Sequence, residues 1–543
     1  MENVFIFQTR RIGDFFQAVP LIDYLYNKLS DKKNDSIDIL IDGAIFNISS
    51  IFNQKINFFT YEDILKTFAS KYSISLNSLY DLSAANLFDF LNKFNYFLSE
   101  FSDKYGTAVN LNYDTANSLF IGFFKNRKMG FSDFIFKKGA SNYLFHSVRN
   151  RNSNKINIVD IFSLIGAGKP AEIKPRYDII NLKSSRKSRR SFKINDIIRI
   201  CISIGATSVK RVWSSENYAS LIKLLDSNFN CEIVIVGTAE EITAAVEIKK
   251  YLNSDINVLD LTGKTTLSEL IYLVKDFDLI ISSDTGTLHI AQIFNVPSVS
   301  IFTGNANFYE TGPHIENSLV IYSRAECYPC FQHEQCRFNY SCKNDVKPAD
   351  VFDLILLQIK SNKLDCCGID RKTYIKTIKN NIKNNIKKGN FSVSFCKHLN
   401  SIHFYPMFKQ EISKQELASE VLKFSWINVL SEDNAGIDSD KVLRYTKKYY
   451  KIDKTEAHSL IREISFIKTV FENGRRSFAE TADYDRSYFK KFKESVKSIG
   501  ANYNYLKLAC DYFIEELNSS GALKSFNDII LLLDNAIRIL KMF

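Results

Sequence analysis

The sequence predicts an α/β protein built on doubly wound parallel sheets, followed by a helical C-terminal part. Two stretches of the 543-residue chain alternate strand-like and helix-like patterns, and their strand candidates are short apolar runs. Such runs are typical of parallel strands that helices cover on both faces. The third observation is the region from residue 414 to residue 543, where helix formers predominate and prolines are few.

The first alternating region is assigned to an N-terminal lobe, residues 1–181. A strand candidate at residues 4–9 leads into an amphipathic helix candidate at residues 14–29. An aromatic-rich stretch at residues 59–101 has mostly helical period. Further strand candidates lie at residues 37–41 and 107–111, and a further helix candidate lies near residues 115–124.

The second alternating region, residues 196–362, has the clearer pattern of the two. Strands and helices follow one another strictly, which favours a parallel doubly wound sheet. The strand candidates are residues 198–204, 232–236, 258–261, 279–281 and 298–302, and the helix candidates are residues 215–225, 240–252, 267–274 and 286–294. Between the two regions, residues 182–195 are polar and basic without apolar period, which predicts a linker.

The remaining chain, residues 363–543, is predicted to be an all-helical extension that begins with a basic amphipathic helix. Residues 371–388 place Ile375, Ile378, Ile382 and Ile386 at helical spacing, with lysines on the other faces. Such a helix docks its apolar stripe on a neighbouring domain or lies on an anionic membrane surface. We favour docking, and interpret the whole extension as a docking or oligomerisation module.

The bulk composition is that of an ordinary globular protein with a net charge of +11. The charge indicates an anionic partner or a compositional bias of the source. The first residues lack the pattern of a signal peptide, and no window has the roughly 18 apolar residues of a membrane span. We therefore expect a cytoplasmic protein, with a peripheral position at the inner membrane as an alternative. In that compartment the ten cysteines are expected to be reduced or metal-bound.

Four strands of the second region end in small or polar residues, and ligands of open α/β sheets bind outside these carboxyl ends. The four segments are GATSVKRVW (205–213), VGTAEE (236–241), LTGKTTL (261–267) and SSDTGTLH (282–289). Their hydroxyl groups, a glycine beside a helix N-terminus and a basic side chain suit a diphosphate. Glu241 stands where a carboxylate could accept ribose hydroxyl groups.

These segments resemble the bacterial heptosyltransferases of glycosyltransferase family nine. The resemblance also includes IGDFFQAVPLIDYL (12–25) and the continuation of the last segment to Gly304. The resemblance covers roughly residues 1–360. It implies a GT-B fold, in which two Rossmann-like lobes face each other across a cleft. It further implies an inverting transfer of heptose from ADP-heptose to the lipopolysaccharide inner core. No catalytic metal and no nucleic-acid partner are expected.

The resemblance also assigns roles to individual residues. Asp14, in the Gly-Asp pair that begins the first helix, is our candidate for the general base, with a plain capping aspartate as the alternative. Arg211 stands where family members carry a lysine, so either Lys210 or Arg211 would contact the diphosphate. The candidates for binding the nucleotide sugar are Thr207, Ser208, Lys210, Arg211, Glu241, Gly263, Thr265, Asp284, Thr285, Gly286, Thr287 and His289. Arg10 and Arg11 are weak candidates for binding an anionic acceptor.

A separate motif, CYPCFQHEQCRFNYSC, brings Cys327, Cys330, Cys336 and Cys342 into one short segment. The C-x-x-C spacing with two further thiols suits one tetrahedral zinc or iron ion. Reduced packed thiols and disulfides are the alternatives. One subgroup of the family, the autotransporter heptosyltransferases, binds iron through four cysteines and glycosylates protein.

Three functions therefore stay open at this point. The first is heptose transfer to lipopolysaccharide, and the second is transfer by the same fold to a protein or another glycan. The third is a non-catalytic scaffold that binds nucleotide sugars, against which the retention of Asp14, Asp284 and His289 argues. A Rossmann oxidoreductase is disfavoured because no G-x-G-x-x-G follows the first strand.

Overall fold

The computed structural model of the protein describes residues 3–29, 35–74, 84–132, 139–182, 197–331, 334–361, 371–431, 439–480, 486–518 and 522–542. The predicted basic linker, residues 182–195, lies outside the described residues apart from Leu182. Two parallel sheets, one in each alternating region, form the body of the molecule, as the sequence predicts.

The N-terminal lobe contains a five-stranded parallel sheet in the order β3-β2-β1-β4-β5. Its strands are β1 (Val4–Gln8), β2 (Ile37–Ile41), β3 (Ile56–Phe59), β4 (Thr107–Asn110) and β5 (Arg127–Gly130). Its helices are α1 (Ile12–Tyr26), α2 (Tyr61–Tyr72), α3 (Ala84–Asp103), α4 (Thr115–Phe120), α5 (Gly139–Ser147) and α6 (Ile158–Ala167), with 3-10 turns at Gly43–Ile51 and Ile121–Phe123. The sequence did not predict β3 and β5, which are the two edge strands.

The second lobe continues with six parallel strands in an eight-stranded sheet of order β13-β12-β11-β10-β9-β6-β7-β8. The six are β6 (Ile198–Ser203), β7 (Cys231–Val236), β8 (Val258–Asp260), β9 (Leu279–Ser282), β10 (Ser298–Phe302) and β11 (Leu319–Ser323). The helices are α7 (Ser215–Asn228), α8 (Ile242–Tyr251), α9 (Leu267–Val274), α10 (Gly286–Ile293), α11 (Phe308–Thr311) and α12 (Pro348–Ser361), with 3-10 turns at Ala239–Glu241 and Ser341–Asn344. Both lobes are therefore doubly wound, and the GT-B class is confirmed.

The extension is not all-helical, so that part of the prediction is wrong. Its strands are β12 (Phe391–His398), β13 (Ile402–Pro406), β14 (Gln410–Glu411) and β15 (Tyr450–Lys451). Its helices are α13 (Arg371–Lys388), α14 (Lys414–Leu430), α15 (Ser439–Tyr449), α16 (Lys454–Glu480), α17 (Arg486–Asn502), α18 (Lys507–Asn518) and α19 (Ala522–Lys541), with a 3-10 turn at Asn504–Leu506. The strand β12 pairs antiparallel with β11, so the extension completes the sheet of the second lobe.

The apolar stripe of α13 is packed against the second lobe. Ile378 and Ile382 are buried in the core of that lobe, and Ile375 and Ile386 pack against its margin. The docking interpretation of this helix is confirmed. The protein's own core occupies the apolar stripe of α13.

The extension contacts the N-terminal lobe through buried and partly buried polar pairs. The Nζ of Lys155 lies 2.7 Å from an oxygen of Glu420 on α14, and the backbone N–H of Ile402 donates to Asp160 of α6 over 2.7 Å. Glu516 on α18 accepts from the backbone N–H of Gly139 over 2.7 Å. Because β12 and β13 belong to the second sheet while α14 and α18 lie on the first lobe, one segment connects the two lobes.

Among the helices of the described ranges, none is both long enough and apolar enough to span a bilayer.

Candidate active site

A cavity of about 400 Å³ lies between the two lobes, where the carboxyl ends of both sheets meet. The first turns of α1 and α10 face each other across it. A Cβ on Gly13 would lie 2.8 Å from the Cδ2 atom of His289, and a Cβ on Gly286 would lie 3.5 Å from Ile12. The approach of the two helices therefore requires glycine at position 13, which explains the Gly-Asp pair at this place in physical terms.

Asp14 lines this cavity from the first turn of α1. Burial raises the pKa of its carboxyl group, while the charges of His289 and Arg11 act in the opposite direction. Desolvation thus outweighs the stabilisation by the helix N-terminus on which the sequence argument relied. The raised pKa makes Asp14 a stronger base than an exposed aspartate, and its role as the general base stays a prediction.

Asp284 faces Asp14 from the loop before α10, and both of its oxygens are engaged. One oxygen lies 2.7 Å from the Nη1 of Arg211, and the other lies 3.4 Å from the Nε2 of His289. Burial would raise the pKa of this carboxyl group, but Arg211 and His289 together lower it to about 2. The sequence analysis names Asp284 as a candidate for binding the sugar, whereas its contacts here are those of a residue that braces the loop.

Arg211 and Lys210 point in opposite directions, although they are neighbours in the chain. Arg211 lines the cavity and also donates from Nε to the Oδ1 of Asn305 over 3.1 Å. The ammonium of Lys210 instead donates to the backbone carbonyl of Phe331 over 2.8 Å and to that of Glu334. Lys210 therefore holds the cysteine segment, and its prediction as a diphosphate contact is corrected in favour of Arg211.

Three of the remaining predicted donors line the cavity, namely Thr207, Thr285 and Gly286. The hydroxyl of Thr285 caps α10 and lies 2.7 Å from that of Ser282. Thr287 does not line the cavity, because its buried hydroxyl lies 3.4 Å from that of Ser203 inside the lobe. The position at the helix start fits the prediction for Thr285, whereas Thr287 packs on the inner side of the same turn.

Ser208, Glu241, Gly263 and Thr265 lie outside the lining of this cavity. The hydroxyl of Ser208 accepts the backbone N–H of Lys210 over 3.4 Å. Glu241 caps its own helix, since one of its oxygens accepts the backbone N–H of Thr238 over 2.6 Å and the Thr238 hydroxyl over 2.7 Å. Gly263 has a positive φ of 69° at the end of β8. Whether a ribose or a base reaches these residues stays a prediction.

Both weak candidates for acceptor binding, Arg10 and Arg11, line the cavity on the side of the N-terminal lobe. The guanidinium of Arg10 lies over the ring of Tyr113, 4.1 Å from its centre. A cation stacked in this way is held in place without losing its charge. The two arginines thus place positive charge near Asp14.

The sequence analysis missed a link between the lobes that involves Arg151, Glu310 and Asn305. Arg151, in the loop after α5, donates to Glu310 over 2.8 Å and to the backbone carbonyl of Asn305 over 2.6 Å. Because the Asn305 side chain accepts from Arg211, this link connects the N-terminal lobe to the charged group around Asp284. No periodic signal in the sequence marks these loop residues.

The four cysteines line a second cavity of about 250 Å³, beside Lys210 and Gly304. All four are free thiols. Burial raises the pKa of Cys342. A hydrogen bond from the backbone N–H of Gly304 to its sulfur acts in the opposite direction but is outweighed. Within the described ranges, no three His, Cys, Asp or Glu side chains are grouped closely enough to hold a metal ion.

Comparison with known proteins gives a match to one family over part of the chain. Residues 123–341 match the model of glycosyltransferase family 9 (heptosyltransferase). Lipooligosaccharide heptosyltransferase 2 of Campylobacter jejuni subsp. jejuni serotype O:2 is 29% identical over 159 residues, which are 29% of this chain and 49% of that protein. Lipopolysaccharide heptosyltransferase 2 of Escherichia coli (strain K12) is 30% identical over 93 residues, 17% of this chain and 26% of that protein. The chain thus spans about half the length of the first of these relatives and a quarter of the second.

Solved structures of similar proteins include the ADP-heptose lipopolysaccharide heptosyltransferase II of E. coli. The TM-score is 0.45 at 16% sequence identity, and the match covers 66% of this chain and 99% of that chain. A glycosyl transferase of family 9 from Veillonella parvula has a TM-score of 0.47 at 14% identity, over 66% of this chain and 98% of that chain.

The family match lies within the region for which the sequence motifs indicated a resemblance, and it includes Arg211, Asp284 and His289. The chain therefore carries a glycosyltransferase family 9 (heptosyltransferase) domain, matched over residues 123–341.

Proposed function

We propose that this protein is an inverting glycosyltransferase that transfers heptose from ADP-heptose to a hydroxyl group of the lipopolysaccharide inner core. The observation that carries the proposal is the pair of carboxyl groups on opposite walls of the cleft. Asp14 has a raised pKa, whereas Asp284 is paired with Arg211 and His289. Environments that push two pKa values apart are typical of sites that divide acid–base work between two carboxyl groups.

The proposed reaction is a single displacement. Asp14 removes the proton of the acceptor hydroxyl, the acceptor oxygen forms a bond to the anomeric carbon, and the bond from that carbon to the diphosphate breaks. The departing ADP then carries the electron pair of the broken bond. Arg211 and the N-terminus of α10, beside Thr285 and Gly286, provide positive charge at the place where that negative charge develops.

The test is nucleotide release from a panel of ADP-, GDP- and UDP-sugars, with a deacylated lipopolysaccharide core oligosaccharide as acceptor. Acceptor-dependent release of ADP from ADP-heptose is the expected result. Equal release without acceptor, or release only from another nucleotide sugar, would contradict the proposal. The variant Asp14→Asn separates enzyme from scaffold, because a scaffold would bind nucleotide equally well in both forms and show no turnover in either.

We propose further that Cys327, Cys330, Cys336 and Cys342 hold a structural zinc or iron ion. The donor chemistry fits, because four thiols line one cavity and backbone N–H groups already donate to the sulfurs of Cys336 and Cys342. The described side chains do not stand at ligand spacing, so binding requires the segment to draw its thiols together. Metal analysis of the purified protein tests this, and freely titratable thiols with little bound metal would contradict it.

A protein acceptor is the second candidate, and the cysteine segment together with the extension favours it. Adding a serine-containing peptide to the same assay distinguishes the two acceptors. Self-association, membrane contact and a cytoplasmic location stay predictions of the sequence.

A further inference from the structure

Three amide side chains on the wall of the N-terminal lobe are buried without full hydrogen bonding. Gln8, Gln17 and Asn112 line the cavity between the lobes, and each is only 1% exposed. Among the described residues, no partner is found for the Oε1 of Gln8, the Nε2 of Gln17 or the Oδ1 of Asn112. A buried polar atom without a partner destabilises the folded protein, so three of them in one wall require an explanation.

Hydrogen bonds orient two of these amides. The Nε2 of Gln8 donates to the backbone carbonyl of Asp14 over 3.3 Å, and the Nδ2 of Asn112 donates to that of Phe7 over 2.7 Å. Because the nitrogen of each amide is used, the oxygen is the end that is left over. Two acceptors are thus placed at the end of β1, next to the first turn of α1, which carries Asp14.

Gln17 completes the group from the helix side. It follows Asp14 by three residues on α1, and side chains at this spacing lie on the same face of a helix. Its unpartnered atom is a donor, whereas those of Gln8 and Asn112 are acceptors. The wall next to the candidate base therefore offers one donor and two acceptors, all of them uncharged.

We propose that Gln8, Gln17 and Asn112 form a subsite that binds the hydroxyl groups of a sugar acceptor next to the hydroxyl that Asp14 deprotonates. The inference rests on the proposed function and deepens it, since it names the class of acceptor. A hydroxyl group both donates and accepts, so neighbouring sugar hydroxyls match a mixed set of uncharged partners. A serine or threonine acceptor brings a single hydroxyl, the one that Asp14 would deprotonate, so only its backbone amide groups could meet the three amide ends.

The same set does not suit an anionic group. Two amide oxygens and the carboxylate of Asp14 would repel a phosphate or carboxylate, which would meet Arg10 and Arg11 instead. The terminal torsions of glutamine and asparagine are broad, so a small rotation brings each free end to a ligand in the cavity.

The experiment measures binding of a deacylated lipopolysaccharide core oligosaccharide and of a serine-rich peptide, each in the presence of ADP. The variants are Gln8→Met, Gln17→Met and the double variant, since methionine keeps the length of glutamine without its hydrogen bonds. Gln358→Met, at a buried glutamine on α12 of the second lobe, is the matched control. Titrations with ADP alone report on the integrity of the fold.

We expect each single variant to raise the Kd for the oligosaccharide about tenfold, with unchanged affinity for ADP and no effect of Gln358→Met. An unchanged Kd in the double variant would overturn the proposal, and so would peptide binding with the same dependence on Gln8 and Gln17. Binding of the oligosaccharide that depends on Gln8 and Gln17, without transfer of heptose to it, would support the subsite and contradict the proposed function.

Discussion

The two walls of the cleft place their carboxyl groups in opposite electrostatic environments. In the second lobe, Asp284 is neutralised by Arg211 and His289, and its pKa is lowered to about 2. In the N-terminal lobe, burial raises the pKa of Asp14, and no ion pair with it is found among the described residues. The comparison teaches that the carboxyl group of the second lobe is paired within its own wall, whereas that of the N-terminal lobe is left for a ligand.

The largest expected effect comes from removing the proton acceptor of the N-terminal wall. Asp14→Asn keeps the shape of the side chain but cannot take a proton. We expect kcat to decrease by about 10²- to 10⁴-fold, with the affinity for ADP unchanged. Steady-state kinetics and ADP titration check both expectations. An unaffected rate would end the assignment of Asp14 as the base.

The matched change on the other wall, Asp284→Asn, should act mainly on stability. It leaves the guanidinium of Arg211 without its charged partner in a buried place, which costs roughly 3 kcal/mol of the free energy of unfolding. Urea denaturation measures this cost. The KM for the donor should increase because Arg211 is no longer held in position. If Asp284→Asn instead abolished turnover in a fully stable protein, the roles of the two carboxyl groups would be reversed.

The pH dependence of the reaction should report Asp14 and not Asp284. Asp14 acts as a base only when ionised, so kcat/KM decreases as pH falls through its pKa, by about tenfold per unit. Because burial raises that pKa above its ordinary value of 3.8, the acid limb lies at higher pH than an exposed aspartate would give. Asp284, with a pKa of about 2, stays ionised throughout. Rates measured from about pH 4 to pH 8 check this, and a limb that persists in Asp14→Asn would contradict it.

The smallest effect should come from changing the contact between Gly13 of α1 and His289 of α10, which joins the two walls. In Gly13→Ala the new Cβ would lie 2.8 Å from the Cδ2 of His289, so the imidazole or α1 must shift. We expect a loss in kcat/KM of about tenfold, because small displacements near reacting groups are costly. Gly122→Ala is the matched control, since its Cβ would meet nothing within 4 Å. Equal activity of both variants would show that the approach of the helices is not required.

The sequence predicts the second lobe better than the remaining chain, for physical reasons. Its central strands are buried on both faces, which produces unmistakable apolar runs such as Cys231–Val236. The strand β5, with the sequence RKMG, is a largely exposed edge strand and has no such run. The strand β12 alternates phenylalanine and valine with serine, but it follows a basic helical segment whose pattern we extended too far.

In the candidate site, too, the sequence predicts some residues well and others poorly. Asp14, Arg211, Asp284 and His289 follow strand ends, so the topology alone brings them to the cleft. The direction of Lys210 could not be predicted, because adjacent loop residues point to opposite sides and only the tertiary structure selects one. The role of Arg151 depends on a partner more than a hundred residues away along the chain, which a single sequence does not reveal.

The strands β12 and β13 have a consequence for any attempt to shorten the protein. Without them, β11 would become the outer strand of the second sheet, with its buried Val320 and Ile321 beside a row of unpaired backbone groups. An open, apolar strand edge is a template for pairing with other chains. We therefore expect a chain cut after α12 to aggregate. The extension prevents assembly into fibrils because β12 pairs with the edge that other chains would otherwise bind.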